Sequence, residues 1–152
     1  MEKIMIGNED TLEGLLSDLI KLDFDAAEAY EAAINRLENT KFKKQLSEFR
    51  KDHLHHTKNL GEILRDMGKN IPKGPDAMQL LTQGKVVIGN IFGDEGILKA
   101  MKANEDVTNM SYEKAINHKK VTTEIRKILE QNLDDERRHR AWIMEQIKEE
   151  KK

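Results

Sequence analysis

The chain has 152 residues and carries 26 Lys and Arg against 28 Asp and Glu, a formal net charge of −2. That length suits one domain with a single sizeable core, and the near-neutral balance argues against a general binder of nucleic acid or anionic membrane, which needs a basic excess. Cysteine is absent, which removes disulfides, thiolate zinc sites, iron–sulfur clusters and thiol nucleophiles and leaves carboxylates, histidines, tyrosines and hydroxyls to carry any chemistry.

The pattern predicts four long helices, as a composition 36% charged and 38% hydrophobic with two prolines would suggest. The first spans about 9–38, with Asn8 or Asp10 as its N-cap and an apolar stripe at Leu12, Leu15, Leu19, Leu22, Ala26, Tyr30, Ala33 and Leu37. The second spans about 40–67 with the stripe Phe42, Leu46, Phe49, Leu60, Leu64 and Met67, and Gly68 stands where a left-handed C-cap is expected. Only Asn39 and Thr40 separate the two, so they should pair as an antiparallel hairpin. From 69 to 93 the periodicity breaks around Pro72, Pro75 and glycines at 74, 84, 89 and 93, which reads as a long crossover with one or two short helices. A third helix follows at about 94–117, marked by Leu98, Met101, Thr108, Tyr112 and Ile116. The fourth, at about 122–148, carries Ile125, Leu129, Ile143 and Ile147. No run approaches the roughly 18 apolar residues of a membrane span, and Met1–Ile6 lacks the apolar core of a secretion signal. The expected location is cytoplasmic.

The two hairpins repeat one another. Asp25–Asn35 resembles Val107–Asn117 at an offset of 82 residues, which superposes Tyr30 on Tyr112. An offset of 83 places Phe42 on Ile125, Leu46 on Leu129, Leu60 on Ile143 and Leu64 on Ile147.

At about 100° per residue, six polar residues fall inside the apolar stripes, where burial without partners is costly. They are Asp23 on the first helix, His53 and His56 on the second, Glu105 on the third, and Glu136 and His139 on the fourth. The repeat maps Asp23 onto Glu105, His53 onto Glu136 and His56 onto His139. Side chains three residues apart share a helix face and can converge on one ion. Carboxylate oxygen combined with imidazole nitrogen favours iron, manganese or zinc over calcium or magnesium. A single inward His or Glu is more often a hydrogen-bonded core residue than a ligand; six of them in two matching sets point the other way.

In these residues the chain resembles the ferritin-like superfamily, and within it the rubrerythrin-type (erythrin) four-helix domain without a rubredoxin domain. The resemblance implies one ferritin-like domain over 1–152, all-α, made of two helical hairpins joined by a long crossover. The family pattern is a Glu from each of two helices and Glu-x-x-His from each of the other two, and Glu105 with Glu136-Arg-Arg-His139 matches its second half. Tyr30 and Tyr112 each follow a helix carboxylate by seven residues, about where such proteins place tyrosines that hydrogen-bond the metal-bound carboxylates. The first half departs from the pattern: Asp23 is one methylene shorter than Glu, and His53 stands where a Glu would bridge two metals, which a neutral imidazole cannot do. Three carboxylates then face four positive charges on two divalent ions. The expectation is weakened binding at one of two positions, one tightly held ion, or recruitment of Asp52 from the edge of the stripe.

If two irons bind, the resemblance implies a non-haem di-iron oxidoreductase that oxidises Fe(II) with oxygen or peroxide and depends on an external electron donor. Manganese or zinc are further candidates, and a homodimer is compatible with the pattern. Two other readings stay open: a non-catalytic stress or interaction module whose polar layer sets helix register, and a protein that binds or stores metal without turnover. His55 and His118 read as exposed, and Trp142 as covering the crossover or a subunit contact. Gly84-Lys85 lacks the rest of a phosphate-binding loop, and Asn109-Met-Ser111 matches a glycosylation acceptor only formally.

Overall fold

A computed structural model of the chain describes residues 6–75, 88 and 91–150. Among the described residues four long α-helices stand out, α1 (Leu12–Arg36), α2 (Thr40–Asp66), α3 (Asp94–Ile116) and α4 (Thr123–Glu150), and there is no strand. Helix α1 starts later than the sequence suggests, and Thr11 rather than Asn8 or Asp10 caps it. The Thr11 backbone is extended and its hydroxyl accepts the Gly14 N–H at 3.0 Å, satisfying one orphan donor of the first turn. The helix stops at Arg36 because Leu37 turns extended, and the Asp94 carboxylate takes the next two amides, Glu38 at 2.9 Å and Asn39 at 3.0 Å.

Asn39 caps α2 by accepting the amides of Lys41 and Phe42. At the far end Gly68 adopts φ +71°, with Gly68 N–H to Arg65 O and Lys69 N–H to Leu64 O completing the double hydrogen bond of a Schellman turn. Thr122 opens α4 by accepting the Ile125 amide.

Helix directions follow from which residues meet. Tyr30 reaches Glu105 and Tyr112 reaches Asp23, so α1 and α3 run antiparallel. Asn59, His56 and Asp52 meet Asn132, Asp135 and His139 in turn, so α2 and α4 do too. The end of α2 and the start of α3 therefore lie at opposite ends of the bundle. Residues 67–93 must traverse it, about 40 Å for a helix of 27 residues. Two antiparallel hairpins with one such crossover is the ferritin-like arrangement. The short helices expected in the crossover fall mostly at 76–87 and 89–90, outside the described residues. What is described there anchors it: Ile88 is fully buried, and Arg36 Nε donates to Ile91 O at 2.9 Å.

More of α1 is buried than one stripe predicts. Leu16, Ile20, Ala27 and Ala29 join it because α1 packs on both α2 and α3. Met67, assigned to the stripe of α2, is partly exposed beyond the helix end. The apolar core divides into two clusters. One holds Leu15, Leu19, Leu60, Leu64 and Leu129; the other holds Phe42, Leu46, Phe49, Leu98 and Met101. Burial of each such side chain contributes about 1.5–3 kcal/mol. That apolar mass holds a polar layer at mid-bundle.

Candidate metal centre

The layer contains Asp23, His53, His56, Glu105, Glu136 and His139, every one fully buried. Each hairpin brings a carboxylate from its first helix and a pair at i and i+3 from its second, so all six side chains converge between four helices. They form two overlapping groups whose donor atoms lie within 4.8 Å of one another: Asp23, His53, His56 and Glu136, and His53, Glu105, Glu136 and His139. His53 and Glu136 belong to both.

His53 Nδ1 lies 2.8 Å from Asp23 Oδ1 and its Nε2 3.3 Å from Glu105 Oε2. His56 Nδ1 is 3.1 Å from Asp23 Oδ1. His139 Nδ1 is 3.4 Å from Glu105 Oε2 and 3.9 Å from Glu136 Oε2. Glu136 Oε1 lies 3.3 Å from Nδ1 of both His53 and His56, without hydrogen-bond geometry to either.

A second layer fixes these groups. Tyr30 Oη donates to Glu105 Oε2 and Tyr112 Oη to Asp23 Oδ2, each at 2.5 Å. Each tyrosine thus serves the carboxylate of the other repeat, as the antiparallel α1 and α3 require. His56 Nε2 donates to Asp135 Oδ2 and His139 Nε2 to Asp52 Oδ2, both at 2.8 Å, which turns both Nδ1 atoms toward the centre. Arg138 donates to Asp52 at 2.7 Å and Asp135 at 3.0 Å, tying the two aspartates together. The geometry places Asp52 against the outward nitrogen of His139, not among the converging donors.

Four contributors have no polar role in the sequence reading: Asp135, Asn109 and Asn132, and Thr108, which appears there only as part of the stripe of the third helix. Thr108 Oγ1 donates to Glu105 Oε1 at 3.1 Å, Asn109 spans Glu105 O and Glu136 O, and Asn132 joins Asn59 to Tyr112 Oη. Asp135 had a legible signal, since it lies 83 residues after Asp52, the same offset that links the other pairs. The three neutral residues carried no such signal.

His118 is buried rather than exposed. Its Nε2 donates to Glu9 O at 2.7 Å and its Nδ1 accepts the Lys120 amide, binding the N-terminal segment to the α3–α4 turn. His55 is exposed. Trp142 packs edge-to-face on Phe42 and Phe49 of α2, so its described contacts lie within the bundle.

Burial opposes charge on His53, His56 and His139, yet the surrounding carboxylates win. Glu136 with Asp23 and Glu105 pushes His53 up to about 10, and Asp23 with Asp135 pushes His56 up to about 12. His139 is raised by Asp52 and Glu105 against the same burial cost. In return these histidines outweigh burial and hold Asp23 below, and Glu105 well below, the usual carboxylate range. Glu136 goes the other way, to about 7, because burial and the Glu105 charge disfavour its anion. Burial and the neighbouring carboxylates raise both tyrosines well above the usual phenol range, which keeps them as donors.

Charge pairing leaves a deficit. Both oxygens of Glu136 and Nδ1 of His139 are buried without a hydrogen-bond partner. Leaving such a group unsatisfied costs about 1–3 kcal/mol. All three atoms face the other donors, and an ion accepting lone pairs there would satisfy them together. The residues fit a metal, and nitrogen with carboxylate oxygen suits a transition ion.

No helix among the described residues is long and apolar enough to cross a membrane. Comparison with curated proteins and with solved structures gives no match. One sequence family matches residues 12–119, which takes in Asp23, His53, His56 and Glu105 and stops short of Glu136 and His139. With most of its length inside that match, the chain belongs to the family described as domain of unknown function (DUF2383).

Proposed function

We propose that this protein binds iron at the centre of its bundle and supports oxidation by oxygen or peroxide, as the rubrerythrin-type proteins its motif resembles do. The observation that carries the reading is the pair of overlapping donor groups with Glu136 and His139 Nδ1 left unsatisfied inside them. Bound iron would supply a redox couple and a Lewis acid. Asp23, Glu105 and Glu136 would offset its charge, and His56 and His139 would each present Nδ1. Asp52 and Asp135 hold those imidazoles by their outer nitrogens, so each ring is already oriented before an ion enters. Tyr30 and Tyr112 keep their protons and fix one oxygen each of Glu105 and Asp23. The apolar clusters on either side exclude water. Manganese or zinc would suit the same donors. Turnover would also need an electron donor, and these residues hold no cysteine to build a thiolate-ligated iron centre for that purpose.

A second reading rests on the contacts among His53, His56 and Asp23, which offset charge without metal: the layer sets helix register and catalyses nothing. Elemental analysis of protein purified without chelator separates the two, since the register reading expects no metal and no rise in melting temperature with Fe(II), Mn(II) or Zn(II). Peroxide-dependent Fe(II) oxidation, lost in Glu136→Ala, then separates a redox centre from a metal store.

A further inference from the structure

We propose that His53 bridges two metal ions, its Nδ1 serving the position built from Asp23 and His56 and its Nε2 the position built from Glu105 and His139. The inference rests on the metal-binding reading above and deepens it.

The two ring nitrogens already face different groups. Nδ1 is 2.8 Å from Asp23 Oδ1 and 3.3 Å from Glu136 Oε1, while Nε2 is 3.3 Å from Glu105 Oε2. Glu136 is divided the same way. Its Oε1 stands beside Nδ1 of His53 and His56, and its Oε2 faces His139 Nδ1. The sharing of both residues between the two donor groups therefore has a definite assignment of atoms. Asp23 Oδ1, Glu136 Oε1, His53 Nδ1 and His56 Nδ1 form one position; Glu105 Oε2, Glu136 Oε2, His53 Nε2 and His139 Nδ1 form the other. Each is two oxygens and two nitrogens, a set that suits four-coordinate zinc or a first-row neighbour.

This assignment removes the charge shortfall that the sequence predicts. A ring coordinated through both nitrogens keeps no N–H proton and carries one negative charge; the protons it held go to the buffer when the ions enter. With Asp23, Glu105 and Glu136 the layer then supplies four negative charges to two divalent ions. The charges are also shared evenly, since each position has one carboxylate of its own and half of each bridge. Replacement of a bridging carboxylate by His53 preserves the balance rather than breaking it.

The test uses zinc, which is redox-silent, on the full chain after chelator treatment. Zinc content after equilibrium dialysis is read together with ¹⁵N shifts of labelled histidine. Two zinc ions per chain, both His53 nitrogens at metal-bound shifts and no N–H on that ring are expected. His53→Gln should fall to one ion, and His53→Glu, an anion with two donor oxygens, should return to two. A ring N–H retained on His53 in zinc-loaded protein overturns the bridge, as does a single zinc in the wild type or an unchanged two in His53→Gln. Those outcomes leave metal binding intact, whereas a wild type that takes up no Zn(II), Fe(II) or Mn(II) ends both readings. Should His53→Gln fail to fold, the wild-type ¹⁵N spectrum decides alone.

Discussion

The two hairpins occupy equivalent slots around the centre but fill them differently. Their hydrogen-bonding frame is shared: Tyr30 and Tyr112 cross to each other's carboxylate, Asp52 and Asp135 cross to each other's histidine, and Asn39 and Thr122 each cap the helix that follows. The packing around that frame has diverged. Phe49 and Trp142 stack edge-to-face beside His139, and in the matching slots at the other end Asn132 and Asn59 exchange hydrogen bonds beside Tyr112. Leu22, Ala26 and Ala27 of α1 correspond to Asn104, Thr108 and Asn109 of α3. The frame groups are constrained by the carboxylates and histidines they hold in the other hairpin. Phe49 with Trp142 and Asn59 with Asn132 also meet across the hairpins, but as pairs whose two members can change together.

The sharpest way to break this comparison is to remove a residue that both halves use. Glu136→Ala should weaken both metal positions, by about a hundredfold or more, because loss of even an outer-layer partner costs 10–100-fold. Asp23→Ala should empty only one. Metal content of the two variants after dialysis checks this, and one ion left in Glu136→Ala would show that the halves share less than the geometry implies.

The next largest effect is on pH dependence, and it has opposite signs with and without metal. His53 and His56 bind protons more tightly folded, to about 10 and about 12, than unfolded. Their contribution is complete below their ordinary value near 6.5 and is lost as pH rises through the folded values. Glu136 acts in the same direction lower down, its contribution lost as pH rises through about 7. Metal-free protein should therefore lose stability from pH 7 to 10, by roughly 1 kcal/mol per pH unit for each charged imidazole. Metal affinity should rise over the same range, since ligation displaces those protons. Melting curves of chelated protein and zinc titrations at matched pH measure the two slopes.

Smaller effects test the crossed frame. Tyr30→Phe and Tyr112→Phe should each destabilise the protein by about 1–2 kcal/mol. Tyr112→Phe should be the worse, because it also strips a partner from Asn132, whereas Glu105 keeps Thr108 when Tyr30 is lost. Denaturant titration of both variants decides the order. At the caps, Asn39→Ala should cost about 1 kcal/mol and Thr122→Ala less, because Asn39 accepts two amides and Thr122 one.

Much of this is legible in the amino-acid sequence, for reasons that differ by residue. Helical periodicity fixes the angle of a side chain about its own axis, so the inward phase of Asp23, His53, His56, Glu105, Glu136 and His139 could be read directly. Gly68 was legible because few other residues fit a positive φ at a helix end. His118 was misread because it follows α3 in a turn, where periodicity says nothing about burial. Thr11 rather than Asn8 or Asp10 is the cap because the choice depends on which side chain meets an unpaired amide of the first turn, here Gly14.

The sequence by itself determined the four long helices, their duplication, the six inward polar residues and a chemistry confined to oxygen and nitrogen. Only the tertiary structure decided which atoms of those residues face each other. The antiparallel pairing of α1 with α3 and of α2 with α4 sends each tyrosine and each outer aspartate to the opposite repeat. It also sets His53 between two donor groups with one nitrogen toward each. A repeat along one chain specifies phase; the contact between neighbouring helices specifies height and facing, and a binding site needs both.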